Sequence, residues 1–395
     1  MTQTSIKRPR IESIDFLRGA VMILMALDHV RDYFHYDAFM YNPLDPTQSS
    51  GFLFFTRFIT HYCAPVFVFL AGTSAFFVGR RKSKKDLSIW LLKRGFWLII
   101  LEITLVKFGW FFKLDMSFTY LMVIWALGFC MIALAGLMQL PKNIGIVLGI
   151  LLIAGHNAFD QVVYADNTFA HALWAMFKQG GLVDLGPVEI WYAYPLAPWI
   201  GLMLLGFHFG AWYNSDVARE KRIRFLKVLG FGLTAGFFIL RFTNFYGDPF
   251  PWTTFPTKEQ TIMSFMNVWK YPPSLLYLMI TMGPSFIFLA YTEKPLNSWA
   301  KKVVVIGRVP MFYYLIHIYW IHLLTSFGGV IHGWHWSDFV LDDWINDSSH
   351  LKGYGYPLWV VYLVWIFVII SLYPLCAFWN RYKDEHKDRW WLSYL

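Results

Sequence analysis

Long apolar runs recur along the whole chain, and they limit its possible folds more than any other feature. A run of 18 or more apolar residues is a candidate transmembrane helix, because about 20 such residues cross the hydrocarbon core of a bilayer. Of the 395 residues, 57% are hydrophobic and only 15% are charged, whereas soluble domains are about one-quarter charged. The runs are continuous rather than alternating, so they indicate helices and not the strands of a membrane barrel.

The sequence therefore predicts an all-α, polytopic bundle of about ten transmembrane helices. We place these spans at 14–34, 52–78, 88–112, 117–139, 143–159, 191–213, 224–245, 273–292, 303–327 and 357–379. The same pattern predicts a cytoplasmic N-terminal segment at 1–13, a single transmembrane domain at 14–379 and a cytoplasmic tail at 380–395. The longer connections, at about 35–51, 160–190, 246–272 and 328–356, are predicted to share the opposite side.

The basic residues are distributed unevenly between the two predicted sides. Twenty-four of the 34 lysines and arginines fall on the side of the termini, nine fall on the opposite side, and Arg18 lies within a span. Because cytoplasmic loops are enriched in Lys and Arg, this bias predicts that both termini are cytoplasmic. The net charge of +9 is explained by these loops, so it does not indicate nucleic-acid binding.

The first predicted span, "SIDFLRGAVMILMALDHVRDYFHYD", contains more charge than a simple membrane anchor needs. Arg18 and His29 are eleven residues apart, which puts them on nearly one helix face with a rise of roughly 16 Å. Asp15 is one turn before Arg18 and is expected to pair with it. Asp28 and Asp32 flank His29, and Asp32 is placed to orient its imidazole.

Two interpretations of this charged face are open. In the first, Arg18 anchors the helix at the inner surface while Asp28 and Asp32 mark its outer boundary. In the second, the face is functional: a histidine with a neighbouring carboxylate suits proton transfer, and a cation one helix length away suits the phosphates of an extended donor. Buried charges are costly in a bilayer, which favours a cavity on this face.

Other polar residues lie within or beside the apolar runs and are candidates for a substrate cavity. They are His61, Glu102, Arg241, Asn244 and His317. His317 and His322 are five residues apart and therefore point from different helix faces, so no shared metal ion is predicted. The group of His332, His335 and Asp338 lacks further ligands, and we interpret it as a structural loop.

Several segments resemble one known family. The first span resembles the S-x-D-x-x-R-G start of the heparan-alpha-glucosaminide N-acetyltransferase family, and "HYCAPVFVFLAGTS" resembles its second span. The later segments "YPLAPWIGLMLLGFHFG", "KYPPSLLYLMITMGP" and "GRVPMFYYLIHIYWIH" resemble the bacterial branch of that family, whose substrate is unknown. The resemblance extends over about residues 10–380. A weaker similarity links "IDFLRG…DH" to membrane O-acyltransferases of surface polysaccharides.

The resemblance implies transmembrane acetyl transfer by an acyltransferase-like domain at 14–379. Acetyl-CoA would be the cytoplasmic co-substrate, with no permanently bound cofactor, and a sugar amine or hydroxyl would accept the acyl group at the outer face. The family's catalytic histidine follows an asparagine just beyond the first span. Asp28 stands at that asparagine position, and either His29 or His35 matches the histidine. We favour His29, because it shares a face with Arg18.

The same resemblance implies a bilayer environment, which we expect to be the bacterial inner membrane, and it allows a homodimer. The alternative function is a transporter or flippase for a polar solute or a lipid-linked sugar, since buried charges and aromatic loops fit both classes. The absence of a visible inverted repeat weighs against a transporter. A structural or sensory membrane protein without turnover is the third hypothesis, and the His–Asp group weighs against it.

Overall fold

The structure is a computed structural model that describes residues 11–166 and 168–393. The described residues are mostly helical. Lys7, Arg8 and Arg10, which contribute to the predicted cytoplasmic N-terminal segment, lie outside the described residues.

The helices follow the predicted spans closely, although several spans are divided. The described α-helices are α1 (Glu12–Phe34), α2 (Gly51–Ile59), α3 (Cys63–Gly79), α4 (Lys84–Leu101), α5 (Lys107–Phe111), α6 (Val123–Leu137), α7 (Lys142–Ala154), α8 (Phe169–Trp174), α9 (Leu196–Phe209), α10 (Arg219–Thr243), α11 (Lys258–Met266), α12 (Leu275–Thr292), α13 (Ser298–Arg308), α14 (Pro310–Ile331) and α15 (Leu358–Glu385). A π-helical turn at Glu102–Val106 joins α4 to α5, and a second one at Ala175–Gln179 extends α8.

Six of the described helical stretches are long and apolar enough to cross a membrane, which establishes a helical membrane protein without reaching the predicted count of about ten. They are Gly51–Gly79, Leu196–Tyr213, Arg219–Thr243, Leu275–Thr292, Pro310–Ile331 and Leu358–Glu385. The predicted spans around α6 and α7 contain only 15 and 13 helical residues, which is about 22 and 20 Å of helix. The first helix is long enough, but it contains three charged residues near its end, Asp28, Arg31 and Asp32, in addition to Asp15 and Arg18.

A three-stranded sheet corrects the prediction of a purely helical chain. Its strands are β1 (Phe118–Leu121), β2 (Gly181–Asp184) and β3 (Glu189–Tyr192), and β3 lies between the other two, parallel to β1 and antiparallel to β2. The spans predicted to start at 117 and 191 therefore start as strands. Their aromatic and β-branched residues suit a pleated surface as well as a helix.

The predicted span 303–327 is also two helices rather than one. Its break lies at Val309, which has φ −127° and ψ 50° between the end of α13 and the start of α14. Pro310 explains the break, because proline has no N–H to donate and disfavours helical geometry in the residue before it.

The ends of the helices form two chemically different surfaces. We define the basic end by the short connections at 80–83, 138–141, 214–218 and 293–297. There, α1 is bonded to α12 and α13 through Ser13–Glu293 and Arg308–Asp15 contacts, and the Arg222 guanidinium pairs with Glu293 at 2.7 Å. The bulk of the positively charged residues lies at this end.

We define the loop end by the four long connections at 35–50, 155–195, 244–274 and 332–357. These connections pack on one another: the backbone N–H of Tyr36 donates to the carbonyl oxygen of Tyr356, and the Asn267 amide donates to the carbonyl oxygen of Leu44. At the centre of the bundle, α1 packs against α3, α12, α13, α14 and α15. The last turns of α1 therefore lie under the long connections.

Candidate active site

A cavity of about 970 Å³ opens at the loop end, between the last turns of α1 and the long connections. Its wall is rich in aromatic rings from several elements, including Trp110 of α5, Tyr120 of β1, Trp191 of β3, and Trp269 and Trp344 of the connections. Its charged lining includes the cations Arg31, Arg57, Lys178 and Lys270. A volume of this size is at the upper end of the range for small-molecule pockets.

His29 lies on this wall and contacts a second histidine from the other half of the chain. Its Nδ1 is 2.8 Å from Nε2 of His317, and the two rings stack with centroids 4.9 Å apart. The edge of Trp110 packs against the His29 ring at 4.7 Å. His29 is partly exposed, whereas His317 is fully buried behind it.

The hydrogen bonds determine which nitrogen of each neutral imidazole carries the proton. His317 Nδ1 is 3.0 Å from the carbonyl oxygen of Tyr313, which can only accept, so Nδ1 of His317 is the donor and its Nε2 is an acceptor. His29 Nδ1 must then donate to His317. The lone pair of His29 consequently lies on Nε2, the nitrogen available to a molecule in the cavity.

Asp28 forms the centre of a charged cluster beside His29. Its two carboxylate oxygens accept separately from Arg31, at 2.9 Å, and from Arg57 of α2, in a very short contact. Arg31 also donates to Asp32 at 2.6 Å. The Asp28–Arg57 pair connects the last turns of α1 to α2. The Arg31–Asp32 pair corrects one expectation: Asp32 binds Arg31 rather than His29, whose imidazole is oriented by His317.

Residues 10–236, more than half of the chain, match the family model described as "Heparan-alpha-glucosaminide N-acetyltransferase, catalytic". The chain belongs to this family. No curated protein sequence matches the chain significantly. The heparan-alpha-glucosaminide N-acetyltransferase match confirms the resemblance inferred from the sequence, and its limits include Asp28, His29 and Arg57. His317 and Lys270 lie beyond the matched segment.

His35, the other histidine that could match the family's catalytic position, does not line the cavity. Its Nδ1 accepts from the backbone N–H of Asp37 at 3.2 Å, and its ring stacks on Tyr36. Burial lowers the pKa of His35 to about 4, and the Asp37 carboxylate only partly offsets this effect. The side chain therefore bonds to the turn that follows α1 and not to the cavity.

Arg18 and Asp15 lie at the basic end and not at the cavity. Arg18 donates to Asp15 at 2.9 Å, to the carbonyl oxygen of Gly307 at 3.1 Å and to the hydroxyl of Ser74 at 3.2 Å. The expected pairing with Asp15 is therefore present, and it connects α1 with α13 and α3. A donor-binding role for the two residues stays a prediction.

Two of the proposed cavity residues are buried outside the cavity lining. His61 is fully buried, packs against Phe58 and Tyr277, and its ring nitrogens have no hydrogen-bond partner among the described residues. Glu102 lies on the π-helical turn and accepts from the backbone N–H of Trp125 at 2.8 Å. It thereby satisfies a free donor in the first turn of α6, which is a capping function.

Arg241 and Asn244 also have structural partners instead of a place on the cavity wall. The Arg241 guanidinium donates to four backbone carbonyl oxygens, those of Phe250, Ser264, Phe265 and Asn267. Asn244 ends α10 in a left-handed conformation and exchanges two hydrogen bonds with the backbone of Trp252. Both side chains hold the connection at 244–274 in place.

Two cavity residues, Arg57 and Lys270, were not among the sequence-based candidates. Arg57 interrupts the apolar run "GFLFFTRFIT", and the rule that singled out Arg18 applies to it equally. Lys270 lies in "VWKYPP", in a connection with ordinary loop composition, and no sequence pattern distinguishes it. Only the fold brings it to the cavity that His29 also lines.

Proposed function

We propose that the protein is a membrane acetyltransferase in which Nε2 of His29 is the general base. The observation that carries this proposal is the His29–His317 pair at the cavity wall, because it leaves one basic nitrogen directed to the cavity. Family membership supports acetyl transfer, and the geometry supports His29 over His35 as the catalytic histidine.

The proposed reaction moves an acetyl group from a CoA thioester to an amine or hydroxyl. The acceptor nitrogen or oxygen attacks the thioester carbonyl carbon while His29 Nε2 takes its proton. Collapse of the tetrahedral intermediate breaks the carbon–sulfur bond, and the protonated His29 returns its proton to the departing CoA thiolate. Acetyl-CoA and the acceptor thus yield CoA and the acetylated acceptor, with His29 regenerated.

The acceptor we propose is an amino sugar. Trp110, Trp191 and Trp344 line the cavity. The C–H faces of a pyranose ring pack well against aromatic rings, and the charged cluster offers hydrogen-bond partners to its hydroxyls. The name of the family, an α-glucosaminide acetyltransferase, indicates the same class. The proposal also includes the orientation: the basic end is cytoplasmic, and acetyl-CoA enters from that end.

The test uses the purified 395-residue chain in nanodiscs with acetyl-CoA and α-methyl glucosaminide. Free thiol release and acetylated sugar are measured for the wild type, His29→Gln and His35→Gln. We expect His29→Gln to lose about 10²- to 10⁴-fold in kcat, the usual contribution of a general base, while His35→Gln stays within about threefold.

Two results would contradict the proposal in different ways. Full activity of His29→Gln would remove this residue from the chemistry. Absence of acetyl transfer by the wild type to amine and hydroxyl acceptors alike, together with uptake of a sugar into proteoliposomes, would favour the transporter.

A further inference from the structure

Lys270 differs from the other cations of the cavity in having no carboxylate partner. Arg31 and Arg57 pair with Asp28, and Lys178 pairs with Asp160 at 2.6 Å. No carboxylate of the described residues lies within 4.0 Å of the Lys270 ammonium, although the side chain is only 8% exposed and lines the cavity. A buried cation normally has a partner, because removing it from water is costly. Here the partner is the ring of Tyr271, whose centroid lies 5.0 Å from the ammonium nitrogen, so no carboxylate compensates the positive charge of Lys270.

The backbone around Lys270 is fixed by several hydrogen bonds. Lys270 forms a bridge with Pro273, the N–H of Trp269 donates to Asp248 at 2.9 Å, and the N–H of Ser274 donates to the carbonyl oxygen of Trp269 at 2.9 Å. The Ser274 hydroxyl also donates to Asp248 at 2.7 Å. The lysine is therefore held in position at the cavity without help from a ligand.

The Lys270 charge acts on the candidate catalytic group. It is close enough to interact electrostatically with both Asp28 and His29. Its neighbour Tyr271, on the same wall, shows the sign of the local potential: burial raises the pKa of this phenol, but the positive charges of Lys270 and Arg57 outweigh burial and lower it below the ordinary value. This part of the cavity favours negative charge.

Acyl transfer creates negative charge beside His29. When the acceptor attacks the thioester, the carbonyl π electrons move to the oxygen and form an oxyanion, and they return to re-form the carbonyl as the carbon–sulfur bond breaks. A fixed cation in a site that excludes water stabilises this oxygen without reorganising during the reaction. Arg31 and Arg57 are neutralised by Asp28 and Asp32, so Lys270 is the cation left for this role.

We propose that Lys270 is a catalytic residue that stabilises the oxyanion of the tetrahedral intermediate formed beside His29. This inference rests on the proposed acetyltransferase function. Its chemistry is complete without another reactant, because the proton cycles through His29 and the ammonium keeps its own protons throughout.

The experiment compares Lys270→Met, Lys270→Gln and Lys270→Arg with the wild type, using acetyl-CoA and α-methyl glucosaminide. Removing the charge is expected to lower kcat by about 10²- to 10³-fold, as the loss of one oxyanion donor does elsewhere, with KM for acetyl-CoA within threefold. Lys270→Arg keeps the positive charge, and its kcat is expected to be at least tenfold higher than that of Lys270→Met.

The matched control is Lys352→Met, since Lys352 is an exposed lysine of the same end, outside the cavity lining. It is expected to keep wild-type kcat. The inference is overturned if the wild type is active and both neutral variants keep kcat, or if they raise KM alone, which would show a ground-state binding role. A wild type with no acetyl transfer would instead overturn the proposed function, and this inference with it.

Discussion

At the scale of single residues, the chemistry of His29 depends on a partner 288 positions away in the sequence. A carbonyl oxygen fixes the His317 tautomer, and His317 in turn fixes that of His29. The carboxylate that usually performs this task in a triad is replaced by a neutral ring. A neutral partner avoids placing another charge in a buried position beside Asp28.

The first prediction concerns His317 as a positioning residue. Replacing it by leucine leaves Nδ1 of His29 without an acceptor, so the ring can turn and the two tautomers become comparable. We expect kcat to fall about 10- to 100-fold, the range seen when the outer partners of metal-binding histidines are removed, with little change in KM. Steady-state kinetics of His317→Leu with acetyl-CoA and α-methyl glucosaminide measures kcat and KM separately.

His322→Gln is the comparison for this variant, because His322 lies on the same helix but contacts the carbonyl oxygens of Gly109 and Phe339 instead of the cavity. It is expected to lower the melting temperature and to leave kcat near the wild-type value. Unchanged kcat in His317→Leu would show that His29 needs no orienting partner.

The second prediction concerns His35 and the pH dependence of stability. Its pKa is lowered to about 4 in the folded chain, against about 6.5 in an unfolded one. Above pH 6.5 both forms are neutral and stability is unaffected. As the pH falls from about 6.5 to 4, the unfolded chain takes up a proton that the folded chain cannot, and stability is lost, on the order of 3 kcal/mol in total.

His35→Asn isolates this effect, because the asparagine oxygen can still accept from the Asp37 N–H but does not titrate. Intrinsic tryptophan fluorescence gives melting temperatures of both proteins in detergent at pH 7.5 and 4.5. Between pH 7.5 and 4.5, the melting temperature of the wild type should fall further than that of the variant. Equal losses would assign the acid sensitivity to other groups.

The sequence indicated part of the site. Asp28 and His29 stand out because charges are costly in an apolar run, and that physical argument does not depend on the fold. The pairing of His29 with His317 and the position of Lys270 arise from contacts between distant segments, which one sequence does not encode in any local pattern. Arg241 and Glu102 were singled out for the same cost of burial. In the structure, four backbone carbonyl oxygens accept from Arg241, and a backbone N–H donates to one oxygen of Glu102.

At the scale of elements, close helix contact depends on glycine. In α3 and α9, Gly72 and Gly206 face the backbone of the opposite helix, and a Cβ on Gly206 would lie 2.1 Å from the carbonyl oxygen of Phe69. Small residues allow such an approach between membrane helices, where dispersion contacts rather than the hydrophobic effect hold the pair together.

The third prediction is that Gly206→Ala separates α3 from α9. The added methyl group meets rigid backbone, so the helices must shift, at a cost of about 1–3 kcal/mol. A drop in melting temperature in detergent measures the loss. Gly232→Ala in α10 is the control, because a Cβ there has no neighbour within 4 Å and is expected to leave the melting temperature unchanged or slightly raised. Equal melting temperatures for the two variants would contradict the argument.

The helices themselves were largely predictable, because hydropathy over 18 residues reports directly on burial in a bilayer. The boundaries at 117 and 191 were wrong because aromatic and β-branched residues fit strands and helices alike, and the pairing of β1 with β3 joins segments 71 residues apart. Pro310 indicates the break at Val309, but the residues on both sides of it are apolar, so an average of hydropathy along the chain does not show the boundary.

At the scale of the whole molecule, the two ends of the bundle have different chemistry. The basic end has short connections and the starts of α4, α10 and α13, while the loop end contains the aromatic cavity and the sheet. Lys and Arg are retained on the cytoplasmic side during insertion. This asymmetry supports the proposal that the cavity opens away from the cytoplasm, so that acetyl groups would cross the membrane during turnover.

The last prediction tests this orientation with single cysteines. The three native cysteines, Cys63, Cys130 and Cys376, are buried, so they should give little background with a membrane-impermeant maleimide. Ser215 lies at the basic end and Ser349 at the loop end, and both are exposed. In right-side-out membrane vesicles we expect Ser349→Cys to be labelled and Ser215→Cys to be protected, and in inside-out vesicles the reverse, because positive charge retained in the cytoplasm fixes the basic end there. Labelling of Ser215→Cys from outside would place the cavity on the cytoplasmic side, where donor and acceptor would meet without any transfer across the bilayer.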